Sequence, residues 1–205
     1  MKKITLTLAA SFLGLASSIC FAQYSNKIAV YPWDFKDGNV TSREMVFETV
    51  RKIAEHSGYT VLPHEAVKRK FNSLVPAVAL RKGLPIKSDL ARFAAAVHAN
   101  IIIFGNTNWH TRSIWVGAGP KTISTASVDV YVYDDRTRSV TFQKRGVEGR
   151  SDEKEQALKV VLSVLVTPLV TTVSGGPATP REQRAVQIAL GRALEPWTRL
   201  RQRQR

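Results

Sequence analysis

Four apolar residues in a row, Ile101-Ile102-Ile103-Phe104, constrain this chain more than any other feature. Successive side chains of a β-strand point to opposite faces, so an unbroken apolar run needs cover on both. The run is too short for a helix and stops at Gly105, so it reads as a strand buried between two layers. Ser127 to Tyr133 fits the same sheet. Val128, Val130 and Val132 alternate with Asp129, Tyr131 and Tyr133, the period of a strand. Asp134 to Arg138 reads as a turn, and Val140 to Val147 as the returning partner of a hairpin.

The rest of the chain supplies the layers. Lys27 to Pro32 and Tyr59 to Leu62 are short strands. Thr41-Ser42-Arg43-Glu44 has the form of a capping box. The helix it opens places Val46, Val50, Ile53 and Ala54 on one face beside Phe47, and Gly58 ends it. Pro63 to Phe71 is a further short helix. Ser88 caps another, with Leu90, Phe93, Ala94 and Val97 on one side. Ile103 is followed by strand-like residues through Gly105 towards Trp115, and Gly117-Ala118-Gly119-Pro120 turns the chain. Ser151 and two acids begin a long helix, which Pro168 kinks or ends. Thr179-Pro180-Arg181-Glu182 is a second capping box with proline at the first helical position. It precedes an apolar stripe of Val186, Ala189, Leu190, Ala193, Leu194 and Trp197. This order implies an α/β fold: a single domain of two or three layers, a mixed β-sheet with helices packed on it, and two C-terminal helices. The stripe is expected to pack on the helix that starts at Ser151.

The start of the chain indicates where it works. Lys2 and Lys3 precede an apolar run from Ile4 to Ile19, and Cys20-Phe21-Ala22 offers small residues at the positions a signal peptidase reads. Residues 1–22 are therefore expected to be a secretory signal, with residues 23–205 as one α/β domain ending in a helical pair over 151–205. Cys20 is the single cysteine. The mature chain then has neither disulfides nor thiolate metal sites. Ile19 just before Cys20 argues against lipidation there. Val160 to Val173 is the strongest later apolar run, but it contains Pro168 and is shorter than the roughly 20 residues that span a bilayer. It reads as a buried helix. The expected location is the periplasm, with association to the outer membrane open.

The net charge of +14 attracts anions such as phospholipid head groups, lipopolysaccharide or an acidic protein. Nucleic acid is disfavoured, because aromatic residues are not interleaved with the basic ones in a recognisable module. Catalytic signals are weak throughout. His56, His64, His98 and His110 form no i, i+4 pair, and no metal is expected. No nucleophile elbow is present. Asp134-Asp135 reads as a turn rather than a working carboxylate pair. Asp34 and Asp37 follow the first strand, where α/β folds often hold ligands, and read better as loop residues. Gly117 to Pro120 opens no helix and cradles no phosphate. No cofactor is expected.

Two segments have the residue types of binding surfaces. Trp109, His110, Arg112 and Trp115 cluster in the stretch after the buried strand, where aromatic and arginine side chains suit a binding hot spot. Packing of Trp109 beneath a helix is the competing reading. Arg199, Arg201, Arg203 and Arg205 form a basic end, which either complements a helix dipole or binds an anionic lipid or partner.

The opening Lys27-Ile28-Ala29-Val30-Tyr31-Pro32-Trp33 resembles the "KIAVLPF" strand of a group of bacterial envelope proteins. Gly58 to Pro63 resembles their second strand, Ala94 to Gly105 their Ala-rich helix and following strand, and Asp134 to Arg138 the acidic turn of their last hairpin. The group includes the curli-secretion channel subunit, outer-membrane activators of peptidoglycan synthases and the N-terminal domain of the Tol–Pal propeller protein. The resemblance spans roughly Lys27 to Val147. It implies their α/β fold and an accessory role. This chain departs in lacking a convincing lipidation site and in lacking the long alternating segments, about 10 residues per strand with an outward apolar face, that a membrane barrel hairpin needs.

Three functions follow as expectations. The first is a non-enzymatic envelope module that docks an envelope protein. The second is a periplasmic protein that binds an anionic envelope component. The third, a hydrolase or transferase, has no motif in its favour.

Overall fold

A computed structural model describes residues 27–31, 34–35, 40–78, 85–117, 119–153 and 179–202. The signal segment, the Asp37-Gly38-Asn39 turn, the Val160–Val173 run, the Gly175-Gly176-Pro177 linker, Arg203 and Arg205 lie outside them. Six strands form one mixed sheet: β1 (Lys27–Val30), β2 (Asp34–Phe35), β3 (Thr60–Val61), β4 (Ile101–Val116), β5 (Gly119–Asp134) and β6 (Ser139–Arg150). The spatial order is β3-β1-β4-β5-β6, and β2 pairs with β4 beyond β1. β1 runs parallel to β3 and β4. The β4–β5 and β5–β6 pairs are antiparallel.

Four helices are described: α1 (Val40–His56), α2 (His64–Val78), α3 (Lys87–Val97) and α4 (Pro180–Gln202). They sort by the parity of the strand residues they cover. Ile28, Ile103, Val128, Val130 and Val132 share one core with Val46 and Val50 of α1 and Leu190 and Leu194 of α4. Ala29, Ile102, Phe104, Tyr131 and Tyr133 share the opposite core with Val67 of α2 and Leu90 and Phe93 of α3. The Ile101–Phe104 run is thus buried on both faces, the layered arrangement its sequence demands.

Two local expectations are corrected. Ser88 does not cap α3. The N-cap is Ile86, held extended after Pro85, and it has no side-chain cap; its carbonyl accepts from Asp89 N (3.0 Å) and Leu90 N (3.1 Å). Proline disfavours helical backbone in the residue before it and leaves the one after free to start the helix. Helix α2 does not stop at Phe71. It runs on through Pro76 to Val78, where one missing amide lies in its final turn. The α4 stripe packs against β5, β6 and α1. The helix expected from Ser151 falls within 154–178, outside the described residues, and Ser151 and Asp152 form a turn.

The Thr179 capping box is present. Thr179 N donates to Glu182 Oε2 (2.7 Å) and Glu182 N to Thr179 Oγ1 (3.4 Å). The α1 helix ends as its glycine implies, with Gly58 at φ 79° and Tyr59 N returning to Ala54 O (3.1 Å). The Asp134 side chain locks the β5–β6 turn by accepting from Arg136 N (2.9 Å), Nε (3.1 Å) and Nη2 (2.6 Å). The Arg136 guanidinium holds that carboxyl below the ordinary carboxylate range.

The second core contains a titrating group. Tyr31 meets Phe71 and Phe93 edge-on, at centroid distances of 5.1 and 4.9 Å. Burial, and secondly the Asp89 carboxylate, push its phenol from 10.0 up to about 12. The folded state keeps this proton longer than the unfolded chain. Its contribution to stability is therefore complete below pH 10 and is lost as pH rises towards 12. Tyr31→Phe is expected to flatten the alkaline limb of a denaturation series over that window, leaving the share due to Tyr133, which burial also raises. An alkaline limb identical to that of the parent chain would show that Tyr31 does not carry it.

Candidate functional site

The longest strands place the best surface candidate. Both β4 and β5 are 16 residues long, long enough for a barrel hairpin but without the outward apolar face that one needs. β2 pairs with β4 only as far as Thr107. β6 pairs with β5 only from Thr125 onwards. From Thr111 to Val116, β4 therefore has β5 as its sole strand partner among the described residues, in the six pairs from Thr111↔Ser124 to Val116↔Gly119. At roughly 3.3 Å per residue these pairs form an arm roughly 20 Å long. Arg112 and Lys121 interrupt Ile114 and Ile123 on one face, and Thr111, Ser113 and Thr122 share the other with Trp115, so neither is a continuous apolar band.

An isolated two-stranded ribbon is marginal in water, and this one is tied down at its base. Thr111 Oγ1 donates to Glu182 Oε1 (3.0 Å) and shares a hydrogen bond with Ser124 Oγ (2.8 Å). Ser124 N donates to Ser151 Oγ (3.0 Å), and Ser151 N donates back to Ser124 O (2.9 Å). Lys121 Nζ reaches Asp152 Oδ2 at 3.5 Å. Glu182 thus serves twice, closing the cap of α4 and holding the arm.

Strand parity divides the four candidate residues of this stretch. Trp109 and Trp115 lie on the α4 face, whereas His110 and Arg112 lie on the other. Trp109 is half-buried and packs against the α4 core, so the packing reading holds for it. His110 and Arg112 are exposed. Trp115 is 77 % exposed next to the arm's tip. The basic end is elsewhere. Arg199 pairs with Glu195 one turn back on α4, and Arg201 lies in the last turn of that helix. The arm is tied to the first turn of α4, so at 1.5 Å per residue Arg199 sits roughly 25 Å from it. The structure does not bring the two candidate sets together.

Sequence reasoning missed a concave site on the opposite face. A cavity of about 530 Å³ opens between α2 and the end of α3. Leu62, Val67 and Val97 form its apolar floor, and Arg69, Lys70 and His98 stand around it. His98 adopts the left-handed conformation (φ 54°) that closes α3. The Lys68-Arg69-Lys70 run was the available signal, but it acquires meaning only once α3 lies beside it.

Among the described residues no group of three or more His, Cys, Asp or Glu is placed to hold a metal. The four histidines lie on separate elements: His56 ends α1, His64 begins α2, His98 follows α3 and His110 is on β4. Among these residues no helix is long and apolar enough to cross a membrane.

No protein-family model matches the chain, and no curated protein does. Solved structures align with it at low similarity. Lipoprotein GNA1162 from Neisseria meningitidis is 14% identical, with 68% of this chain and 94% of that chain covered and a TM-score of 0.47. The LpoB C-terminal domain from Escherichia coli is 14% identical, with coverages of 60% and 81% and a TM-score of 0.38. The hypothetical protein CT253 from Chlamydia trachomatis is 13% identical, with coverages of 85% and 95% and a TM-score of 0.44. Likenesses at this level transfer none of those proteins' properties to this chain.

Proposed function

We propose that this chain is a non-enzymatic accessory module of the bacterial envelope that docks a partner protein through the β4–β5 arm. In this reading residues 1–22 are a cleaved export signal. Residues 23–205 form one domain working in the periplasm or at the outer membrane, in keeping with the resemblance to the curli-channel and Tol–Pal propeller group. One observation carries the proposal: Trp115 is 77 % exposed on an arm whose base is fixed by the Glu182 and Ser151 hydrogen bonds. Tryptophan is a large apolar surface to leave in water, and it is among the residues that dominate binding energies. A held base lowers the ordering cost of association. Ser113 and Thr122, both on the Trp115 face, supply hydroxyls around it.

The test places a photoreactive amino acid at Ser113 in the exported chain. Irradiation of cells is expected to give one discrete adduct. Trp115→Ser in the same background is expected to remove most of it while leaving the melting transition unchanged, since exposed substitutions typically shift stability by no more than about 0.5 kcal/mol. A photoreactive residue at Thr141, on β6, serves as the control that gives no adduct. An adduct unaffected by Trp115→Ser, or equal labelling at Thr141, would remove the arm from the reading.

A further inference from the structure

We infer that the cavity between α2 and α3 is a binding site for a small anionic amphiphile: one carboxylate or phosphate head on a short apolar tail. The site is independent of the arm, which lies beyond the last strand residues that α3 covers. Its size falls in the range of ligand pockets, about 300–1,000 Å³. Its chemistry is divided in the manner such a ligand requires. Val67 and Val97 are buried in the floor, and Leu62 extends it. Arg69, Lys70 and His98 are exposed beside that floor. No carboxylate is among the described residues that line the cavity. Nor does any described carboxylate pair with Arg69 or Lys70, and Arg69 only donates from Nε to the Glu65 carbonyl at 3.4 Å. Arg51, Arg136, Arg150 and Arg192 each pair with a carboxylate, whereas Arg92 and Arg112 are exposed without one among the described residues, so what marks this mouth is cations standing beside an apolar floor with no carboxylate in the lining. Cations and apolar floor together suit an outside anion that carries an apolar tail.

The apolar floor argues against a simple phosphate or sulfate site, since such an ion leaves Leu62, Val67 and Val97 uncovered. The cations argue against a neutral hydrophobe, which would leave their charges unanswered over a drying surface. A head and tail joined in one molecule satisfies both, with the guanidinium of Arg69 suited to a forked contact on the head.

Calorimetric titration of the intact mature chain with decanoate and with decyl phosphate tests this. Saturable one-to-one binding is expected, weakening as salt rises. Decanol and inorganic phosphate, each lacking one half of the ligand, are expected to bind at least roughly tenfold more weakly. The double change Arg69→Gln with Lys70→Gln is expected to cost roughly tenfold or more in affinity. Ala66→Trp, which fills the cavity from α2, is expected to abolish binding. Melting curves of both variants identify any loss that comes from unfolding, and for such a variant Ala66→Leu replaces tryptophan. Co-sedimentation with phosphatidylglycerol vesicles separates the sources. Vesicle binding lost in Ala66→Trp assigns the amphiphile to a membrane lipid, and its absence alongside decanoate binding assigns it to a free amphiphile. Decanol binding as tightly as decanoate overturns the inference. So does affinity unchanged by either cavity variant, or an acidic decapeptide binding where decanoate does not. None of these changes touches Ser113 or Trp115, so failure here leaves the arm's crosslinking result standing, and the reverse.

Discussion

A chain ending at Thr179 is expected to lose its cooperative melting transition and to aggregate. Helix α4 buries Val186, Ile188, Leu190 and Leu194 to 1 % exposure or less, and Trp197 to 8 %. Trp197 stacks on Tyr59 at 4.9 Å, so the helix also closes the end of the core near β3. Burying each large apolar side chain contributes roughly 1.5–3 kcal/mol. Five of them together rival the whole stability of an ordinary domain, about 5–15 kcal/mol. Removing α4 also uncovers Val128, Val130 and Trp109 on the strands beneath it. Within the full chain, Leu190→Ala is expected to cost about 2–5 kcal/mol. Removing residues 201–205 is expected to leave the melting transition in place. The measurements are calorimetry and binding of a hydrophobic dye. A soluble chain ending at Thr179 with an unchanged transition would mean that the stripe serves another molecule instead of this core.

Gly149→Ala is expected to destabilise the fold by about 3 kcal/mol, at the upper end of the usual cost of overpacking. A Cβ at this position would lie 2.4 Å from the Ala185 carbonyl oxygen, 2.5 Å from Ala189 N and 3.1 Å from Ala189 Cα. All three atoms belong to the α4 backbone, so no side chain can rotate away. The helix would have to lift from β6, and with it the contacts of Arg192 to the Glu148 carbonyl (2.9 Å) and to the Glu153 carboxylate. Gly146→Ala is the comparison on the same strand. Nothing lies within 4 Å of its Cβ position, and its φ of 60° alone sets the penalty, roughly 1–2 kcal/mol. Equal denaturation midpoints for Gly149→Ala and the parent chain would contradict the close approach of α4 to β6.

The elements that were legible in the sequence are those in which one residue's neighbours along the chain are also its neighbours in space. The Ile101–Phe104 run, the Val128-Val130-Val132 alternation, the α4 stripe and the Thr179–Glu182 box all carry their period or spacing within a few residues. The arm was not legible in its full length. Trp109 apart, Asn106 to Ser113 is polar, with one face solvated and the other answered by hydroxyls and by Glu182. No apolar period marks such a strand. Trp109 and Trp115 share a face of β4, and burial separates them: α4 covers the first and stops short of the second. The cavity was hidden for a different reason. Arg69 and Lys70 come from α2 and Val97 and His98 from α3, so the site is created by the packing of two helices and belongs to neither. Ser88 misleads because a serine inside a first turn looks in sequence like one at the cap, and α3 starts one residue earlier, at Lys87 after Ile86.

The mixed sheet also sets an order of events. β4, β5 and β6 follow one another along the chain and pair with their immediate neighbours in sequence. β1 pairs with β3 and β4, so Ile28 must find both Val61 and Ile101. Contacts between distant segments close large loops and form late, whereas hairpins close quickly. The first strand to be synthesised is therefore the last to be enclosed. During that interval Ile28-Ala29-Val30 is an apolar, uncharged strand with both hydrogen-bonding edges open, the condition that favours pairing between chains. Newly made protein should depend on a holding chaperone until the segment at Ile101 is available, and the need should centre on β1 rather than on the β4–β5–β6 meander, whose strands pair with their neighbours in sequence.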